Sequence, residues 1–345
     1  MKKIVDIQAT APGKIILSGE HAVVYGNPAL VMAVNRYVTT TVLPHSGSEI
    51  TFLFPELLAE RSVTSAALMQ LQKRVKDNYQ AFLRGDLLIR EVLKEPIELV
   101  QFALSLLLEA VSAHSFPGIR MSMQTDLLIG CGMGSSAAVV ISVLAAVAHY
   151  LQVTITPELF YNLAHQAETM QHGKSSGLDL QSSLHGGCLY YQTGQVKART
   201  PSTLPFYLIN TGQPKTTTGE CVGAAAAYFK NTHISHDFAD VTNAMDQALQ
   251  ANNMNDVIHT IRENHKLLNT IGVVPEKVQQ LIAEIEHAGG AAKISGAGAV
   301  AGNHAGIVLI ALEDEAALKK IAWHYQQASI PIQCETRGVY VHESF

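Results

Sequence analysis

A two-domain α+β fold follows from three observations on this chain of 345 residues. The length exceeds what one hydrophobic core commonly serves, so two cores are expected. Hydrophobic residues make up 48% of the chain while charges are spread throughout, the balance of a globular protein with substantial buried cores. The order of strand-like and helix-like stretches fits two α+β domains packed around a shared cleft.

The first half opens on strand-like segments at Lys3 to Gln8, Ile15 to Ser18 and the β-branched run Tyr37 to Val42. Helices then dominate. Ser62 to Leu83 and Pro96 to His114 repeat apolar residues at three- and four-residue spacing, and a strand at Ile119 to Gln124 feeds a glycine loop. Behind the loop the apolar run Ala137 to Leu151 reads as a buried core helix, since it falls short of the ~20 residues of a membrane span. Thr156-Pro157-Glu158 is a helix start, with a capping hydroxyl, proline at the first helical position and an early carboxylate, and Gly173 ends that helix. Cys188 to Gln192 reads as a strand leaving the first domain and Val196 to Pro205 as a crossover. The second half continues with a strand at Phe206 to Asn210 and helices at Gly219 to Asn231, Asp237 to Ala251, Asn255 to Thr270 and Pro275 to Ala288. It closes with a strand at Ile307 to Ala311, a helix at Glu313 to Ala328 and a strand at Ile332 to Val341.

A formal charge of −5 leaves no electrostatic footprint for nucleic acid, and no Lys/Arg block suits an anionic membrane surface. Any anion site is therefore local. Met1-Lys2-Lys3 is followed by no continuous apolar stretch of the signal-peptide kind, and a cytoplasmic location is expected. The four cysteines are scattered without a Cys-x-x-Cys pair, so reduced thiols are expected rather than zinc or disulfides.

Four segments carry residue types suited to phosphoryl transfer. Gly130-Cys131-Gly132-Met133-Gly134-Ser135-Ser136 joins a strand to a helix start, where glycines admit close approach and free N–H groups attract anions. Its spacing is neither Gly-x-Gly-x-x-Gly nor Gly-x4-Gly-Lys-Ser/Thr. Ser135 and Ser136 there serve as helix caps or as oxygen ligands to phosphate or magnesium. In Ala11 to Gly26 polar residues interrupt an apolar run, and a lysine just before Ile15-Ile16-Leu17 requires a counterion or an anionic ligand. Glu168 stands before a helix end and Asp179 in a serine- and glycine-rich turn. One carboxylate suits a metal and the other a substrate hydroxyl, or they are a solvated helix charge and an Asx turn. The fourth segment, Lys293 to Gly302, is a hairpin or a flap over bound nucleotide.

In this order the segments resemble the GHMP kinase superfamily. Ala-Pro-Gly-Lys-x-x-Leu-x-Gly-Glu-His-Ala-Val-Val-x-Gly, as found from Ala11 to Gly26, is similar to the motif of mevalonate kinases in particular. The resemblance implies an N-terminal domain like domain 2 of ribosomal protein S5 over residues 1–195 and a ferredoxin-like α+β domain over 196–345. It implies ATP and Mg²⁺ as cofactors and a small molecule, mevalonate, as the acceptor, with neither nucleic acid nor membrane as partner and a homodimer left open. Asp179 and Lys14 are implied as catalytic. Gly130, Gly132, Met133, Gly134, Ser135, Ser136 and Ala137 are implied to hold the nucleotide, and Ser136 and Glu168 the metal. Lys14, Glu20, His21, Asp179 and Thr217 are implied to bind substrate.

Three places depart from the family pattern. Leu127-Leu128-Ile129 enters the glycine loop where proline is common. Ala299-Val300-Ala301 replaces a glycine run after Gly296-Ala297-Gly298, and side chains there are expected to narrow the approach to ligand. Lys174-Ser175-Ser176-Gly177 lacks a proline and brings a lysine near Asp179, either an added phosphate contact or a solvated loop charge. Competing readings are another kinase of the superfamily acting on phosphomevalonate or a sugar, an inactive nucleotide-binding regulator, and a nucleic-acid module of S5-like fold.

Overall fold

The structure, a computed structural model, describes residues 6–54, 59–112, 118–230 and 232–344. Its first strand, β1 (Asp6–Ser18), runs antiparallel to β2 (Ala29–Pro44), and the register slips between Pro12 and Gly13 and again between Ile16 and Ser18. Such irregularities bend a strand and re-aim its side chains. Here they bracket Lys14. A hairpin of β3 (Glu49–Phe54) and β4 (Ala59–Thr64) leads into α1 (Ser65–Arg84), which starts where the Thr64 hydroxyl accepts the Ala67 N–H. Next come α2 (Ile97–Ala110), β5 (Ile119–Thr125), α3 (Ser135–Tyr150), α4 (Pro157–His172) and α5 (Leu178–His185). α2 and α3 are apolar on nearly every side, as a helix must be when it is enclosed. Both are buried over most of their length, with Phe102, Leu107, Ile141 and Leu144 in one core with Ile15, Met32 and Phe52 of the sheet. A second hairpin, β6 (Cys188–Gln192) and β7 (Gln195–Arg199), ends this half.

The second half runs β8 (Phe206–Asn210), α6 (Thr218–Ala225), α7 (Thr232–Gln250), α8 (Met254–Thr270), α9 (Glu276–His287), β9 (Ala291–Ser295), β10 (Ile307–Ala311), α10 (Glu315–His324) and β11 (Ser329–Ile332). Its four strands form an antiparallel sheet in the order β11-β8-β10-β9. Counted within this half, that order is fourth, first, third, second, the split β-α-β arrangement of ferredoxin-like domains. Every residue of β9 and β10 is buried. One face of this sheet meets α9 through Ile282, Ile294 and Val308, a core separate from the first. The chain then returns: β12 (Tyr340–Ser344) pairs antiparallel with β1, Ser344 opposite Asp6. The large sheet thus has the order β12-β1-β2-β5-β3-β4, with β6 on the end of β2 and β7 on β6.

Several expectations change in detail. Val196 to Pro205 is no crossover at its start, because Gln195–Arg199 folds back on β6 as β7. By sheet membership β7, through Arg199, and β12 both go with the first half. Ile332 to Val341 is two strand ends, one in each sheet, separated by irregular chain. The helix expected from Ser62 begins at Ser65, its first residues lying in β4. Lys3, His114 and Asn231, at the ends of expected elements, lie outside the described residues.

Candidate active site

The glycine loop sits where the two halves meet. Gly130, Gly132 and Gly134 all adopt positive φ, the last at 68° as the residue before α3. A Cβ on Gly134 would lie 2.8 Å from Lys14 Cγ, and one on Gly132 would collide with the Ser295 carbonyl, so both positions exclude side chains. No side chain caps α3, which leaves its first N–H groups directed at the loop. The loop is held from both sides. The Lys14 N–H donates to the Met133 carbonyl at 2.9 Å, and the Ile307 N–H from β10 donates to the Cys131 carbonyl at 3.0 Å. Met133 and Ala137 are buried, so what they offer a ligand is backbone.

Lys14 and Asp179 come together beside this loop, Nζ to Oδ1 3.1 Å, with the lysine buried and the Asp179 side chain 32% exposed. Asp179 lies in the first turn of α5, where a serine- and glycine-rich turn was expected, and Gly177 in left-handed conformation sets the start of that helix. Glu168, buried on α4, keeps Oε1 without a hydrogen-bond partner. Burial raises its carboxyl above the usual range and Asp179 adds to the rise, while His172, Ser136 and Lys14 oppose it. His172, one turn on, places Nε2 3.2 Å from Ser136 Oγ and 3.7 Å from Glu168 Oε2. Ser136, Glu168 and His172 thus form one polar cluster. His172 was not singled out in the sequence, although its i,i+4 spacing from Glu168 was a usable signal.

Glu20 and His21 occupy a turn that enters a 3₁₀ helix at Ala22–Tyr25, with Gly19 at φ 96° and His21 at φ 60°. A non-glycine residue in so sparsely populated a conformation costs about 1–3 kcal/mol and persists only where surroundings enforce it. Here His21 Nε2–H donates to the Ala297 carbonyl at 3.0 Å, and Glu20 Oε1 accepts from Lys293 Nζ. His21 Nδ1 and Glu20 Oε2 remain buried without partners. Burial lowers His21 to about 4, so its imidazole is neutral and Nδ1 offers a lone pair. Burial also pushes the Glu20 carboxyl up and the Lys293 ammonium down, each opposed by the other's charge. Lys293 was read only as the edge of a glycine-rich connection. Its setting in Ala291-Ala292-Lys293-Ile294 was the signal, because a lysine within an apolar strand needs a partner.

A cleft of about 350 Å³ opens along the loop, lined by Gly130 to Gly132, His172, Thr216 to Gly219, Ser295 and Ala297 to Gly298. Lys14 and Asp179 are not in its lining, and His172 joins the cleft to their neighbourhood. Arg90, Gln213 and Lys215 add polar groups to its rim, none of them singled out beforehand. Thr217 lines it, but its hydroxyl caps α6 in a reciprocal box with Glu220. The residues that depart from the family glycine run do not narrow it: Ala299 is buried, Val300 is exposed, and neither lines the cleft. Lys174 is exposed and also absent from the lining.

Among the described residues, no helix is long and apolar enough to cross a membrane, and all four cysteines are free thiols. Residues 98–187, which hold the glycine loop, Glu168 and Asp179, match the family profile of the GHMP kinases N terminal domain. The chain is 30% identical to a mevalonate kinase of Archaeoglobus fulgidus over 293 residues, 84% of this chain and 88% of that protein. The mevalonate kinase structure of Methanococcus jannaschii shares the fold at a TM-score of 0.77 and 21% identity, over 95% of this chain and 98% of that one. A Lactococcus lactis galactokinase structure complexed with galactose shares it at 0.76 and 15% identity, over 98% and 95% of the two chains. With its motifs, its two-sheet architecture and its relatives in agreement, the chain belongs to the GHMP kinase superfamily, within the mevalonate kinase family.

Proposed function

We propose that the protein transfers the γ-phosphoryl group of ATP to the primary 5-hydroxyl of mevalonate, giving 5-phosphomevalonate and ADP. The observation that carries this reading is the Lys14–Asp179 pair beside an uncapped helix start in a glycine loop. Phosphoryl transfer needs little covalent help from protein, so positioning and charge stabilisation supply most of the rate. Asp179, with its carboxylate partly open, accepts the proton of the attacking hydroxyl. Lys14 stabilises the oxygen as negative charge develops there. The backbone N–H groups from Gly130 to Ser136 cradle the phosphates. Glu20 Oε2 and His21 Nδ1, both acceptors without partners, suit acceptor hydroxyl groups.

Ser136 and Glu168 fit a magnesium ion. Both offer oxygen, which this hard cation prefers, and Glu168 Oε1 is a buried acceptor with nothing bonded to it. When bound, the ion supplies charge neutralisation at the transferring phosphate. Free thiols throughout support a cytoplasmic setting.

The fold does not choose the acceptor, since a galactokinase shares it. An ATP-coupled assay across mevalonate, phosphomevalonate, galactose and homoserine does. Turnover confined to mevalonate is the expected result; turnover of a different acceptor reassigns the substrate, and turnover of none removes the kinase reading.

A further inference from the structure

We infer that Lys293 is a positioning residue for the phosphoryl transfer proposed above, on which this inference rests: by taking one oxygen of Glu20, it keeps Lys14 committed to Asp179 and holds the Gly19–His21 turn ready for the acceptor.

The geometry is that of a clamp between the two sheets. Lys293 comes from β9 and is fully buried. Its ammonium donates to Glu20 Oε1, to the Ile16 carbonyl at 3.2 Å and to the Ile294 carbonyl at 2.9 Å, which uses all three of its hydrogens. Two residues along, Ser295 Oγ accepts the Ile16 N–H at 2.9 Å. β9 therefore grips β1 at Ile16, two residues past Lys14, and grips the turn that follows through Glu20. The same side chain fixes the loop carrying His21, whose other tie, to Ala297, also comes from the second half.

The charges explain why a lysine is needed and not merely a filler. Three carboxylates, Glu20, Asp179 and Glu168, stand in this region with two lysines, Lys14 and Lys293. Lys14 is near enough to act electrostatically on both Glu20 and Lys293. Remove the Lys293 charge, and Glu20 becomes a buried carboxylate whose nearest cation is Lys14. A buried charge without a partner draws one in or disrupts its surroundings. Lys14 is then divided between two carboxylates, and the pair that meets the reacting hydroxyl is misplaced.

The test uses the full chain. Wild type is first assayed on mevalonate, phosphomevalonate and galactose, and the variants are measured on whichever acceptor turns over. Failure of the acceptor reading thus shows in wild type alone, whereas failure of this inference shows in the variants. Lys293→Met is expected to lower kcat about 100-fold, the scale of an ångström-sized misplacement, while the dissociation constant for ATP, read by equilibrium binding, stays at the wild-type value. The double variant Lys293→Met/Glu20→Gln removes both charges together and is expected to recover kcat to within about tenfold of wild type, because no orphaned carboxylate remains. Its KM for the acceptor stays raised, since an amide replaces a carboxylate at Glu20. If Lys293→Met fails to fold, the double variant decides alone: recovered kcat with raised KM supports the inference. A folded Lys293→Met with wild-type kcat overturns it, and so does a folded double variant about 100-fold slower than wild type.

Discussion

Two lysine–carboxylate pairs lie close together in this protein, and they differ in their access to solvent. Lys14–Asp179 joins a buried lysine to a carboxylate that is 32% exposed, whereas Lys293–Glu20 is sealed on both sides. A carboxylate that water and substrate can reach is able to exchange a proton during a reaction. A sealed pair cannot do so without carrying an unpaired charge in low dielectric, which is costly. This contrast supports the proposed assignment of chemistry to the first pair and alignment to the second, although both bring together the same two kinds of side chain.

The sharpest way to break that contrast is at Asp179. Asp179→Asn should lower kcat about 1000-fold, within the range of a lost general base, leave ATP binding near wild type and lower Tm only modestly, because the amide oxygen still accepts from the buried Lys14 ammonium although its charge is gone. Loss of Tm equal to that of a core variant would make the open pair structural. Glu168→Gln tests the neighbouring cluster: the Mg²⁺ concentration for half-maximal rate should rise at least about tenfold, the cost of losing even an outer partner of a metal ligand. Direct Mg²⁺ titration of the nucleotide complex provides the same reading without turnover.

The sealed side makes a prediction in pH. Burial, aided by the charge of Lys293, lowers His265 to about 4, while an unfolded imidazole titrates near 6.5. Between those values the unfolded chain binds the extra proton, so this residue's contribution is intact above 6.5 and is lost as pH falls toward 4. Its size is at most about 3 kcal/mol. His265→Gln should flatten the decline of Tm across that window relative to wild type. An identical slope would mean that His265 is not held neutral. The smallest effect expected is at Thr217: Thr217→Ala should cost about 1 kcal/mol through the lost cap on α6, with acceptor KM unchanged. A KM that rises while Tm holds would return Thr217 to substrate binding.

What was legible in the sequence was whatever announces itself locally. Alternating glycines before an apolar run placed the loop, and Lys14 and Glu20-His21 stood out as polar residues in an apolar stretch. The Thr156-Pro157 cap placed α4, because capping is decided within four residues. What was missed depends on distance along the chain. Lys293 finds its counterion 273 residues away, so nothing beside it identifies Glu20. β12 pairs with β1 from the far end of the described chain, and a strand that borrows its partner in this way looks like a continuation of its neighbour. Thr217 carries a signal of two meanings: its threonine-rich run looked like a binding segment, and the residue does line the cleft, while its hydroxyl caps a helix start. β7 was missed although Gln195-Val196-Lys197-Ala198-Arg199 alternates polar and apolar residues, because the run is only five residues long and mostly exposed.

The two amides that pin the glycine loop carry a further consequence. Lys14 and Ile307 donate into it from opposite sheets, so opening the loop breaks a bond to each half. Its opening is tied to separation of the two halves, and exchange of these amides with solvent deuterium is governed by that larger event rather than by the loop's own flexibility. The loop proposed to cradle phosphate is thus ordered when the chain folds. An arriving ligand has little backbone entropy left to take away.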